Sequence, residues 1–143
     1  MKVKQISIFI ENKPGRLLKV TRTLADAGVN IRALSVADTV DYGLMRLIVD
    51  DYVMARDVLA EASVTVALTD VIAAEIPDVP GGLNGVVEIL SEAGINIEYM
   101  YAFSGNTGKG AIDVFRVDDI EGAEKLLESK GVKTLSQGDV EKI

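Results

Sequence analysis

The chain has 143 residues, 48% of them hydrophobic and 26% charged, the composition of a globular protein with enough apolar side chains to build a core. Its net charge of −7 repels phosphate backbones and anionic lipid, so neither nucleic acid nor a membrane surface is expected as a partner. It has no His and no Cys, which removes Ser-His-Asp catalysis, thiol nucleophiles, disulfides and the commonest metal ligands. Carboxylate, Lys or Tyr chemistry stays open, but no catalytic or metal-binding constellation is found and no cofactor motif appears. No segment approaches the roughly 18 apolar residues of a membrane span. The N-terminus leads into an alternating strand rather than a signal segment, so a cytoplasmic location is expected.

In chain order, Ile6, Ile8 and Ile10 alternate with Gln5 and Ser7, the pattern of a half-buried strand. Pro14 follows, at a position suited to the first turn of a helix. Leu17, Leu18, Thr21, Leu24, Ala25 and Gly28 share one helical stripe, and Gly28 suits the helix end. Residues 30–36 read as a strand, Asp41-Tyr42-Gly43 as a turn and 44–49 as a third strand. Asp51 can cap a helix whose inner stripe is Ala55, Val58, Leu59 and Ala62, and 64–68 closes the unit as a fourth strand.

The same order then recurs: a strand at 71–76, a helix at 80–94 with Leu83, Val86, Val87 and Leu90 inward, and a strand at 97–103. A Gly-rich turn at 104–109 leads to a strand at 111–117. A helix capped by Asp119 follows, with Ala123, Leu126 and Leu127 inward, and then a last strand at 132–135. The recurrence is written in the residues. PGRLLKVTRTLADAGVNI, from Pro14, and PGGLNGVVEILSEAGINI, from Pro80, lie 66 residues apart and are identical at nine of 18 positions. After the second strand the register carries one extra residue in the second copy, so that Gly43 falls on Gly110. The chain therefore reads as an α+β protein of two tandem ferredoxin-like βαββαβ domains, 1–68 and 69–143, each an antiparallel sheet with its helices on one face. The strands are apolar at both parities, as in Leu44 to Val49, so a second chain is expected to cover the open faces or edges.

Asn12-Lys13-Pro14-Gly15-Arg16-Leu17 followed by a helix ending Ala27-Gly28-Val29-Asn30-Ile31 resembles the ACT domain. Asp78-Val79-Pro80-Gly81-Gly82-Leu83 through Ala93-Gly94-Ile95-Asn96-Ile97 resembles it equally, and the two likenesses span nearly the whole chain. The resemblance implies a non-catalytic regulatory or sensor protein that binds a free amino acid where domains meet. It implies a homodimer and a metabolic enzyme regulated in trans. It names as ligand contacts Asn12, Lys13, Pro14, Gly15, Arg16 and Leu17 with Asn30 and Ile31. In the second copy it names Asp78, Val79, Pro80, Gly81, Gly82 and Leu83 with Asn96 and Ile97. In the family the Asn after the helix reaches a ligand held by a neighbouring domain's Pro-Gly loop. Asn12 with a partner's Asn30, Asp78 with a partner's Asn96, and the crossed pairings inside the tandem all stay open. Some serine-sensing members carry His two residues before the loop Asn; Ile10 and Ile76 stand there here, which favours a more apolar ligand.

The chemistry of such a loop is reasonable on its own terms. A helix N-terminus presents unpaired N–H groups and about half a positive charge, a cradle for a carboxylate. Gly15 and Gly81 let a ligand approach the backbone, Pro14 and Pro80 stiffen the loop, and Asn12 or Asp78 offers oxygens to an ammonium. The alternative is a structural module that dimerises or docks on an enzyme without any ligand. Lys13, Arg16, Lys19 and Arg22 form a basic stripe, which Glu88 and Glu92 of the second copy could complement by docking inside the tandem.

Overall fold

The computed structural model describes residues 2–38, 41–104 and 110–143, leaving aside the side chain of Asp38. The predicted turn at 104–109 lies, beyond Ser104, outside the described residues. The elements are β1 (Val3–Glu11), α1 (Arg16–Asp26), β2 (Ile31–Asp38), β3 (Tyr42–Val49), α2 (Tyr52–Glu61), β4 (Val66–Ile76), α3 (Gly82–Glu92), β5 (Ile97–Ala102), β6 (Ala111–Val117), α4 (Ile120–Ser129), β7 (Thr134–Leu135) and α5 (Gln137–Glu141). They build one antiparallel sheet in the order β2-β3-β1-β4-β6-β5, with β7 on β4. The fold is thus α+β, two ferredoxin-like βαββαβ units sharing a curled sheet.

The sharing is closer than two strands at 64–68 and 71–76 would make it. β4 runs without a break through Leu68 and Thr69, because 66–76 contains no Gly or Pro to end a strand. Val66 to Val71 pair with β1 and Ile72 to Ile76 with β6. At the far edges, an antiparallel bridge between Ala33 and Phe103 and a hydrogen bond from the Ser104 amide to the Arg32 carbonyl (2.8 Å) bring β2 against the end of β5.

Strand parity sorts the core into three clusters. Ile6, Ile8, Met45 and Leu47 pack under α1 and α2 with Val20, Leu24, Ala55 and Leu59. Ile72, Ala74, Phe115 and Val117 pack under α3 and α4 with Val86, Leu90, Ala123 and Leu127. The opposite parities, Val3, Ala33 and Ile48 from one copy and Ala73, Ile112 and Val114 from the other, pack on each other inside the curl. The second-chain cover expected for the open faces is therefore supplied, over this cluster, by the other half of the same chain.

Four local expectations change. Pro14 precedes the first helix instead of entering it: Gly15 is the N-cap and α1 begins at Arg16. In α1 the buried pair is Val20 and Leu24, while Leu17 and Leu18 remain 42% and 52% exposed, because the first turn stands clear of the core. From β3 onward the repeat register carries two extra residues, not one, since Met45 and Asp113 occupy equivalent strand positions and Asp51 and Asp119 cap equivalent helices. The last strand shrinks to Thr134–Leu135. The chain then forms α5, with a Ser136–Asp139 capping box and Val140 buried in the inner cluster.

Candidate functional site

Each Pro-Gly loop leaves the end of a strand and opens a helix. In the first copy the Asn12 amide donates to the Asp41 carbonyl (3.1 Å) and the Lys13 amide to the Glu11 carbonyl (2.8 Å). Gly15 turns the chain with φ 86°, a left-handed conformation that other residues adopt at a cost. Residues 12 to 17 are all exposed. The Glu11 carboxylate takes both loop cations, Lys13 Nζ at 3.1 Å and an Arg16 guanidinium nitrogen at 3.6 Å. The Lys13 hydrogen bond, with the charges of Lys13 and Arg16, holds the Glu11 carboxyl below its ordinary range.

The second loop has the same shape and different chemistry. Gly81 repeats the turn with φ 83°, and Asp78, Val79, Pro80, Gly81 and Leu83 are exposed. Gly82 is demanded by packing, since a Cβ there would collide with the Pro77 carbonyl.

The two loop helices differ from the others at their N-termini. Asp51, Asp119 and Ser136 cap α2, α4 and α5 with side-chain oxygens, whereas no side chain caps α1 or α3. Asn12 and Asp78 therefore do not close their own helices: the Arg16 and Gly82 amides turn back on the Lys13 and Val79 carbonyls (3.3 and 3.0 Å), and no side chain takes the next first-turn amides among the described residues.

Asn30 and Asn96 sit elsewhere. The Asn30 amide donates to Asp50 Oδ1 (2.9 Å) while its carbonyl accepts from the Asp50 amide (3.0 Å). Asn96 does the same with Asp118 (3.1 and 3.3 Å). Asn12 lies beside Asp41, just before β3 begins; Asn30 and Ile31 lie where β3 ends, against Asp50 and Val49. Asp78 follows Ile76, paired to Ala111 at the start of β6; Ile97 pairs with Val117 at its end. Within one copy, loop and asparagine thus occupy opposite ends of the sheet.

A family model of the ACT domain pair matches residues 1–143. The chain belongs to the ACT domain pair family. In three dimensions it is similar to protein BT0572 from Bacteroides thetaiotaomicron, at 39% identity and a TM-score of 0.93 over 100% of this chain and 98% of that one. It shares its fold with the ligand-free regulatory subunit of aspartate kinase from Thermus thermophilus, at 18% identity and a TM-score of 0.61 over 88% of this chain and 90% of that one. Aspartokinase alpha and beta subunits align at 17% identity and a TM-score of 0.57 over the same shares. No curated protein matches the sequence.

In this ACT pair each half of the motif borders its own hollow. One, of about 400 Å³, is lined by Val87, Ser91, Gly94, Ile95, Asn96 and Ile97. The other, of about 230 Å³, lies between the end of β1, the start of α1 and the Ser63–Thr65 turn, with Glu11 and Arg16 on its wall. The basic stripe of α1 and the acidic stripe of α3 are not docked on each other, because α1 packs with α2 and α3 with α4.

Two features escaped the sequence reading. Gln5, buried on β1, joins the copies: its Nε2 donates to Ser7 Oγ (3.0 Å) and to the Tyr99 hydroxyl (2.8 Å), and its Oε1 accepts from the Tyr101 hydroxyl (2.7 Å). The Arg46 guanidinium lies 3.6 Å from the centre of the Tyr99 ring. Asp113 is buried on the helix-covered face of β6 between Ala74 and Ala102, and desolvation raises its carboxyl above the ordinary range. The alternation of Gln5 and Ser7 marked the right face, but nothing local showed that the other copy covers it. No group of His, Cys, Asp and Glu among the described residues is arranged to hold a metal ion, and no described helix is long and apolar enough to cross a membrane.

Proposed function

We propose that this ACT pair is a non-catalytic sensor of a free amino acid, its modules 1–68 and 69–143 presenting one Pro-Gly loop each. The observation that carries the reading is the contrast among helix N-termini: only α1 and α3, the helices at the Pro-Gly loops, lack a side-chain cap. Their amides suit a carboxylate, with Asn12, Lys13, Pro14, Gly15, Arg16 and Leu17 around one and Asp78, Val79, Pro80, Gly81, Gly82 and Leu83 around the other. Asn30 and Ile31, and Asn96 and Ile97, lie at the other end of their own sheets, so another domain, the tandem's other half or a second copy of the chain, has to bring them to a loop. The proposal takes the second copy, in a homodimer. The regulatory-subunit relatives support a regulatory role, with a metabolic enzyme as the partner acted on.

A thermal-shift panel of the free amino acids tests this, because a ligand at about 100 times its dissociation constant adds roughly 2.7 kcal/mol of stability. One or a few amino acids raise the melting temperature of the wild type. Asn12→Ala or Asp78→Ala removes the shift without changing the far-UV circular dichroism. A panel with no response at millimolar concentration would sink the sensor reading in favour of a ligand-free docking module. A monomer in sedimentation equilibrium, with and without the amino acid, would remove the dimer.

A further inference from the structure

The inner face of the curled sheet is filled at one end and open at the other. Below Gln5 it is packed by the inner hydrophobic cluster, with Val140 of α5 among its members. Above Gln5, cross-strand neighbours Ser35, Arg46, Ser7 and Ala67 form one row, and Ala37, Leu44 and Phe9 the next. Ala37 and Ala67 are exposed and Phe9 is 78% exposed, so these rows line an open trough. Tyr99 of the second copy forms its opposite wall, stacked on Arg46.

The charges in the trough do not balance. Of the three strand arginines, Arg32 donates to the Glu141 carbonyl, and Arg116 bonds Glu98 and the Asp70 carbonyl. Arg46 is only half exposed and has no carboxylate within ion-pair distance among the described residues; the Tyr99 ring is its one contact of that kind. A guanidinium partly removed from water is costly without an anion, and stacking on one ring offsets only part of that cost. Ser7 and Tyr99 add to the excess of donors. Each accepts from Gln5 Nε2, which leaves its own hydroxyl proton to give. Tyr101, held well above its usual range first by burial, stays protonated and spends its proton on Gln5. Arg46, Ser7 and Tyr99 thus turn unspent donors toward one open space, above which the wall becomes apolar.

We propose that this trough binds a small organic carboxylate, its oxyanion held by Arg46, Ser7 and Tyr99 and its apolar body against Phe9 and Leu44. The site adjoins the hollow at the first Pro-Gly loop through Phe9, but its donors, Arg46, Ser7 and Tyr99, lie outside both loops and come from both copies of one chain.

Isothermal titration of the full chain with benzoate, benzamide and inorganic phosphate tests it, read in parallel by tyrosine fluorescence. Benzoate binds saturably and changes the tyrosine emission, neutral benzamide does not bind, and phosphate, lacking an apolar body, binds more weakly. Arg46→Met weakens benzoate binding roughly tenfold or more, the loss of one charge-assisted contact. Ser7→Ala gives a smaller loss and serves if Arg46→Met does not fold. Asn12→Ala and Asp78→Ala leave benzoate binding unchanged, which separates this site from the amino-acid reading. Equal binding of benzoate and benzamide, undiminished binding by Arg46→Met, or no binding by the wild type would overturn the proposal. So would an Arg46-dependent dimer indifferent to benzoate, which would assign the trough to a second chain.

Discussion

The two copies share a backbone plan but not a core. In the first, cross-strand neighbours Ile8, Met45 and Val36 make an apolar row on the helix side of the sheet. The equivalent row in the second is Ala74, Asp113 and Ala102. Two large side chains have become methyl groups and the third a carboxylate, although the strand pairing is the same. Backbone pairing and helix placement thus tolerate the loss of a buried pair, Ile8 and Met45, and of their exposed neighbour Val36, provided the rest of the core, here Phe115, Ile72 and Leu90, stays closed.

The strongest way to break the comparison is to give the first copy the second copy's row. Met45 is fully buried, and Met45→Ala is expected to cost about 2–5 kcal/mol, the usual range for emptying such a site. Urea denaturation reads it directly. A loss below about 1 kcal/mol would mean that the first row is as dispensable as its counterpart.

The reverse exchange is expected to be smaller and of opposite sign. Burial raises the Asp113 carboxyl above its unfolded value, so the folded chain binds this proton more readily than the unfolded one does. The destabilisation is full above the folded pKa, shrinks as pH falls toward the ordinary aspartate value, and is gone below it. Asp113→Asn, which removes the buried charge and keeps the shape, is therefore predicted to stabilise the chain at neutral pH by less than Met45→Ala costs. The gain disappears in acid. An Asp113→Asn chain less stable than the wild type at pH 7 would show that the carboxylate has a partner it needs.

The same contrast explains what could be read from residues alone. The Pro-Gly loops, the helix ends at Gly28 and Gly94 and the Asp51 and Asp119 caps are local, so each declares itself within a few residues. The union of two strands into β4 is not local: 66–76 merely lacks a breaker, and only pairing with both β1 and β6 shows it to be one strand. Gln5 looked like a solvent-facing residue of an alternating strand, yet its partner Tyr99 lies 94 residues away. Matching Gly43 with Gly110 sets Asp113 on Arg46, whereas the strand pairing sets it on Met45, one residue away and on the other face. The loop halves of the candidate site were legible as motifs. Their separation across each sheet depends on strand order, which no local pattern records.

The smallest predicted effect sharpens the comparison at the loops. In the first copy Glu11, Lys13 and Arg16 form a charged cluster; their counterparts 66 residues on are Pro77, Val79 and Gly82, which carry no charge. Because the folded Glu11 pKa is lowered, its contribution to stability is present above the unfolded glutamate value and lost as pH falls through the folded one. The groups are at the surface, so salt should screen the effect and the melting temperature should scarcely change in Glu11→Gln. Amide chemical shifts are the sensitive readout. Between neutral pH and about pH 3, spanning the ordinary glutamate range, Gly15 should follow the Glu11 titration, and Gly81 should show no transition that depends on Glu11. The consequence for binding is asymmetric. On the proposed reading a carboxylate arriving at the first loop competes with Glu11 for Lys13 and Arg16, and at the second loop it meets amides beside the Asp78 carboxylate, with no loop cation to compete for. Glu11→Gln should therefore tighten carboxylate binding at the first loop and leave the second unchanged. An equal change at both would mean that the two loops act as one site.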